Sequence, residues 1–157
     1  MKKRTVFIGA ILSLIPLVHP LLIKTGVVLS SSAVMLFLPE KVNAENSTFY
    51  FNRAFEKGNN GDHYGAISDY TKAIEINPQY ESAYYNRGNS KIDLKDYYGA
   101  ISDYTKAIEI NPKKFMAYCN RGIAKEKIGD LKGACFDWKK ASSLGDEDAA
   151  KWVRDQC

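Results

Sequence analysis

Tyr64 to Pro78 reads YGAISDYTKAIEINP, and Tyr98 to Pro112 reads YGAISDYTKAIEINP again. Fifteen consecutive identities at an offset of 34 residues make internal repetition the first property to explain. The same offset relates Asn52-Arg53-Ala54, Asn86-Arg87-Gly88 and Asn120-Arg121-Gly122, and also Tyr50, Tyr84 and Tyr118. Inside the repeated stretch, Ala66, Tyr70, Ala73 and Ile74 fall at i, i+4, i+7 and i+8, one stripe of a helix. The two alanines let a paired helix approach closely, and Tyr70 fills the space between them. Asn77-Pro78 ends the helix, because proline lacks the N–H and disfavours helical geometry in the residue before it. Gly61-Asp62 and Gly129-Asp130 mark turns between helices, and Lys95-Asp96 occupies the same place without glycine.

The period and the residues within it resemble the tetratricopeptide repeat, with units at 47–80, 81–114 and 115–148. The aromatic at the fourth place is Tyr50, Tyr84 or Tyr118, and the small residue at the eighth is Ala54, Gly88 or Gly122. Alanines stand at the twentieth place (Ala66, Ala100, Ala134) and the twenty-seventh (Ala73, Ala107, Ala141). An aromatic lies between them at Tyr70, Tyr104 or Trp138. Pro78 and Pro112 close two units, where the third has Asp146. Two departures recur in every unit: Arg53, Arg87 and Arg121 replace a usual leucine, and Lys57, Lys91 and Lys125 a usual tyrosine. Both are expected to lay their stems on the surface with the charge in water. Asp69, Asp103 and Asp137 are expected on a solvated face, Asp69-Lys72 and Asp103-Lys106 as i, i+3 pairs.

The implied fold is all-α: a helical solenoid of three helix-turn-helix repeats behind a hydrophobic N-terminal leader. Residues 147–157 follow as a capping helix, with Ala149, Ala150, Trp152 and Val153 available for burial. Gly145 suits the left-handed stop before it, and Asp146 its N-cap.

Charge separates the leader from the body. The first 44 residues carry Lys2, Lys3, Arg4, Lys24 and Lys41 against Glu40 alone. Taking these from the chain's 22 basic and 18 acidic residues leaves seventeen of each in the body, which is formally neutral. Interleaved signs without a basic cluster argue against nucleic-acid binding. Thr5 to Ile23 and Thr25 to Pro39 contain no charged residue. With the basic start and Val42-Asn43-Ala44, they read as a secretory signal cut after Ala44. The length of 1–44 leaves an uncleaved membrane anchor over 5–38 as the alternative, and a buried helix as a third. Either main reading places the body in the periplasm or a comparable lumen, or tethers it to a membrane.

Cys119, Cys135 and Cys157 all lie in the body. A Cys135–Cys157 bridge would staple the capping helix to the third unit, leaving Cys119 as a small buried residue; the alternative is three free thiols. No C-x-x-C pair occurs and the body's one histidine is His63, so no metal or other cofactor is expected. Nucleophile elbows, phosphate-binding glycine loops and zinc-protease motifs are absent, which points away from an enzyme.

By the resemblance, the concave groove lined by the first helix of each unit binds a protein or peptide partner. It would present Phe51, Asn52 and Phe55, then Tyr85, Asn86 and Asn89, then Met116, Cys119, Asn120 and Ile123. The asparagines Asn52, Asn86 and Asn120 would either offer amides to an extended backbone or satisfy neighbouring backbone, while Phe51, Tyr85 and Ile123 serve either as pockets or as packing between units. The family's basic clamp for C-terminal carboxylates is not matched: its cation positions hold Phe51, Met116 and Asn120. The runner-up is a structural protein that self-associates or supports a membrane complex without a peptide ligand. The Cys-Phe-Asp-Trp-Lys-Lys-Ala stretch and the Leu-Gly-Asp near the end are similar to small exported bacterial repeat proteins, cyanobacterial ones among them.

Overall fold

The computed structural model describes residues 31–157. It divides into Met1–Pro39 and Glu40–Cys157, of which the second is the repeat body. The apolar run 5–23, and with it most of the expected signal or anchor, lies outside the described residues. Among the described residues no helix is long and apolar enough to cross a membrane.

Seven helices follow one another without a strand among the described residues: α1 (Ser31–Asn59), α2 (His63–Ile76), α3 (Glu81–Asp93), α4 (Tyr97–Ile110), α5 (Phe115–Lys127), α6 (Leu131–Ser143) and α7 (Glu147–Gln156). Each helix from α2 onward packs on the next, and α3 also touches α5, as a solenoid of helix pairs requires. The second helix of each pair starts on an aspartate. Asp62, Asp96 and Asp130 accept from the backbone N–H of Gly65, Gly99 and Gly133 at 2.9, 3.0 and 2.9 Å. Each satisfies a donor that has no partner within its helix. Asp146 caps α7 in the same way through the Ala149 N–H. The turns before these caps need left-handed backbone, which Gly61, Gly129 and Gly145 supply at φ of 81, 84 and 102°. Lys95 holds that conformation at φ 61° in the turn without glycine.

Ala66, Ala73, Ala100, Ala107, Ala134 and Ala141 are completely buried, and the rings they flank fill the interior. One core cluster gathers around Tyr70 and a second around Trp138; Tyr84 packs on both and joins them. Trp138 is the largest fully buried side chain. A buried aromatic of this kind removes about 150–250 Å² from water, worth roughly 4–6 kcal/mol before the entropy of ordering is subtracted.

The eighth place of each unit shows how tightly these rings are held. A Cβ on Gly122 would lie 2.4 Å from Trp138 Nε1, and one on Gly88 would lie 2.7 Å from Tyr104 Cε1. Alanine in a helix gains about 0.5–1 kcal/mol over glycine, whereas overpacking a rigid interior costs about 1–3 kcal/mol. With Trp138 only 1 % exposed, the second effect wins. Gly122→Ala should therefore lower the urea-unfolding free energy by about 1–2 kcal/mol. A gain in stability would show that the indole has room to move.

Candidate functional site

The face formed by α1, α3 and α5 carries the residues expected to meet a partner, and the structure divides them into open and engaged groups. Asn52 is exposed, as are Phe55 (49 %) and Met116 (44 %). Phe51 is turned inward, its ring stacked on Tyr80 at 4.9 Å and leaning on Tyr70 at 5.6 Å. Ile123 packs against the third unit's core, which also buries Cys119. Tyr85 is half-buried, with its ring 5.8 Å from Tyr104 and under the Lys114 ammonium at 4.5 Å. Burial pushes its hydroxyl pKa up.

The three asparagines are not equivalent. Asn86 donates its amide N–H to Ser82 O of its own helix at 2.9 Å. The Asn120 amide donates to the Tyr85 hydroxyl at 3.1 Å and to Asn89 Oδ1 at 3.0 Å. The Tyr104 hydroxyl donates to the same Asn89 oxygen at 2.8 Å. Helical side chains three to four residues apart share a face, so an asparagine reaches its own turn before it reaches a ligand. Among the described residues, Asn89 Nδ2 and Asn120 Oδ1 have no partner in this network: one donor and one acceptor open to the groove.

Two concavities meet on this face. One of about 220 Å³ lies between α3 and α5, lined by Asn89, Ile92, Asp93, Tyr104, Asn120 and Ile123. The other, about 190 Å³, adjoins it through Asn89 and Asp93 and reaches Phe55, His63, Tyr70 and Asn86. His63 Nδ1 stands 3.4 Å from Asp93 Oδ2 without closing a hydrogen bond. Among the described residues no group of His, Cys, Asp and Glu side chains gathers closely enough to hold a metal ion.

Behind the face lies a feature that the sequence reading placed wrongly. Asp69, Asp103 and Asp137 are buried, at 1, 2 and 0 % exposure. Each is gripped by the arginine sixteen residues before it. Arg53 Nε and Nη2 donate to Asp69 at 2.7 and 2.7 Å, Arg87 to Asp103 at 2.9 and 2.7 Å, and Arg121 to Asp137 at 2.9 and 2.7 Å. Lys57, Lys91 and Lys125 complete the triads at 2.9, 2.8 and 2.8 Å. The expected i, i+3 pairs do not form: Lys106 pairs with Glu109 at 2.6 Å, and Lys72 sits over the Tyr50 ring. The missed signal was the joint recurrence of Arg, Lys and Asp at the seventh, eleventh and twenty-third places of all three units. A planar guanidinium matched to a carboxylate makes two parallel bonds, which a lysine cannot do alone. Arg87 and Arg121 each donate a further bond to the preceding unit, to Thr71 Oγ1 and Thr105 Oγ1, both at 2.9 Å. The triads thus tie helix to helix within a unit and unit to unit along the array.

In the first triad the Arg53 hydrogen bond, aided by Lys57 and opposed by burial, holds the Asp69 carboxyl down to about 2 against its ordinary value near 4. A depressed folded-state pKa contributes stability that is complete above the unfolded value and is lost as pH falls through the folded one. The Arg53 side chain is 40 % exposed, so solvent screening reduces the contribution below the full shift. Thermal melts should fall between pH 4 and 2, and Asp69→Asn should flatten part of that slope. An unchanged slope would place the acid sensitivity elsewhere.

Cys135 and Cys157 are joined by a disulfide, with Cα atoms 5.7 Å apart. Cys119 is a buried free thiol, its pKa pushed up to about 12, chiefly by burial. A thiol held protonated in this way is a poor nucleophile.

Family models for the tetratricopeptide repeat match residues 59–91, 82–114 and 103–136. No curated protein matches the chain. Among solved structures, the tetratricopeptide domain of Arabidopsis OM64 is 28 % identical, with a TM-score of 0.68, covering 71 % of this chain and 94 % of that one. The first such domain of RPAP3 (Spaghetti), bound to the HSP90 peptide SRMEEVD, is 24 % identical, with a TM-score of 0.67 and coverages of 71 and 90 %. The N-terminal domain of stress-induced protein-1 from C. elegans is 20 % identical, with a TM-score of 0.68 and coverages of 73 and 96 %. With their 34-residue period, their alternating small and aromatic core positions and their stacked helix pairs, residues 59–136 form tetratricopeptide repeats.

Proposed function

We propose that the repeat body is an interaction module that receives an extended segment of a partner protein along α1, α3 and α5. One observation carries this reading: two adjoining concavities on this face share Asn89 and Asp93, and the exposed Phe55 lines one of them. Asn89 Nδ2 and Asn120 Oδ1 supply a donor and an acceptor for a peptide backbone, and the exposed Phe55 and Met116 supply apolar contact for its side chains. Neighbours of the same fold hold peptides, among them RPAP3 with its HSP90 peptide. This chain has Met116 and Asn120 where a carboxylate clamp needs cations, so its ligand is an internal segment.

The module acts on the exported side of a membrane in this proposal, as in the small exported bacterial repeat proteins it resembles. The basic start, the apolar leader and Val42-Asn43-Ala44 support export, and a disulfide persists in such compartments. Intact mass of the native protein tests this half. A soluble species beginning at Glu45 supports it, whereas a full-length species confined to membranes makes the module a tethered one.

The groove itself is tested by selecting binders from random displayed peptides against the full chain in detergent. Selected peptides should shift the side-chain amide NMR signals of Asn89 and Asn120, and Phe55→Ala should weaken them about tenfold, the 1.4 kcal/mol of one buried apolar contact. The second reading, self-association, draws on Tyr64, Tyr98 and Phe136 of the second helices, exposed by 76, 74 and 67 %. Dimers by sedimentation that survive Phe55→Ala and Asn86→Ala, with no peptide selected, would favour it.

A further inference from the structure

We infer that the cavity between α3 and α5 is a specificity pocket for one cationic side chain, lysine or arginine, of the partner segment; this rests on the groove reading above. Its volume of about 220 Å³ lies below the ~300–1,000 Å³ of small-molecule sites and suits a single long side chain. Ile92, Ile123 and the Tyr104 ring offer an apolar wall for an aliphatic stem, and Asp93 places a carboxylate at the point where the two concavities join. Long cationic side chains divide in this way, with the stem on apolar surface and the head at charge or water.

Charge bookkeeping around the face singles out Asp93. The basic side chains of α3 and α5 nearest the groove are already committed: Arg87 and Lys91 to Asp103, Arg121 and Lys125 to Asp137. Lys114, at the start of α5, is held by Glu81 at 2.7 Å. Among the described residues the one charged partner facing Asp93 is His63, its Nδ1 at 3.4 Å and unbonded, and the Asp93 side chain is 54 % exposed. The pocket therefore presents one incompletely matched negative charge beside an apolar wall, complementary to an incoming cation and repulsive to an acidic residue. It also departs from the acidic peptide SRMEEVD held by the RPAP3 domain of the same fold.

Three pools of capped heptapeptides, degenerate except for a central Lys, Gln or Glu, provide the probe, with affinity for the full chain read by fluorescence anisotropy. The Lys pool should bind about tenfold more tightly than the Gln pool, and the Glu pool more weakly than either. Asp93→Asn should bring the Lys pool to the Gln level and leave the Gln pool unchanged, while Glu75→Gln at an exposed site leaves all three unaltered. Equal binding of the three pools would overturn the cationic pocket while leaving the groove reading in place. A Lys preference that survives Asp93→Asn would overturn it as well. No binding by any pool would overturn both.

Discussion

Asp137→Ala should lower the unfolding free energy by about 3–5 kcal/mol, the largest effect expected of any single substitution here. Asp137 is wholly buried and receives two bonds from Arg121 and one contact from Lys125, whose side chains are 13 and 19 % exposed. Removing the carboxylate leaves two cations with little water and no counter-charge, and that desolvation penalty exceeds what the pair contributes when intact. The same substitution at Asp69 should cost less, because Arg53 and Lys57 are 40 and 36 % exposed and water can replace the lost partner. Urea denaturation of the two variants side by side measures the difference. Replacing the third triad together, Arg121→Leu with Lys125→Leu and Asp137→Leu, should recover most of the loss, since an apolar cluster of similar volume avoids desolvation altogether. Equal and small effects at Asp69 and Asp137 would show that the triads are decoration on an already sufficient core.

Breaking the Cys135–Cys157 disulfide should remove about 3 kcal/mol, the loop-closure entropy of a bridge spanning 22 residues. The loss should be local. Helix α7 is held by one fully buried alanine, Ala149, and by Trp152 and Val153 on the third unit's core, with the Trp152 ring 5.6 Å from Trp138. A ten-residue helix has little stability without tertiary support. In Cys157→Ser, amide exchange should accelerate across α7 and the end of α6 while α2 to α4 keep their protection. If the variant loses less than about 1 kcal/mol, Trp152 packing rather than the bridge secures the end of the array.

The two triad positions and the lid show where sequence reading succeeds and where it stops. Helix boundaries, the small-aromatic-small core stripe, and the Gly-Asp turns are local: a few dihedrals and one capping bond decide them, so they were legible in the string of Tyr64 to Pro78. The burial of Asp69, Asp103 and Asp137 was not: each stands three residues after one buried alanine and four before the next, but a carboxylate enters an apolar stripe only where another helix brings it a partner. Its partner is sixteen residues away on another helix. Similarly, the groove residues could be named from the repeat, but not sorted. Phe51 turned out to stack on Tyr80, Asn86 to bond its own helix, and Asn120 to join Tyr85 and Asn89 from the neighbouring unit.

The sequence by itself determined that this chain is a repeat of helix pairs, because its period, its breakers and its apolar stripe act over distances shorter than one unit. Only the tertiary structure decided which charges are interior and which amides are free. Those depend on helix-to-helix approach across units, which brings together side chains that lie far apart in the sequence. It also decided that Asp93, one acid among eighteen, is the one at the junction of the two concavities without a matched cation.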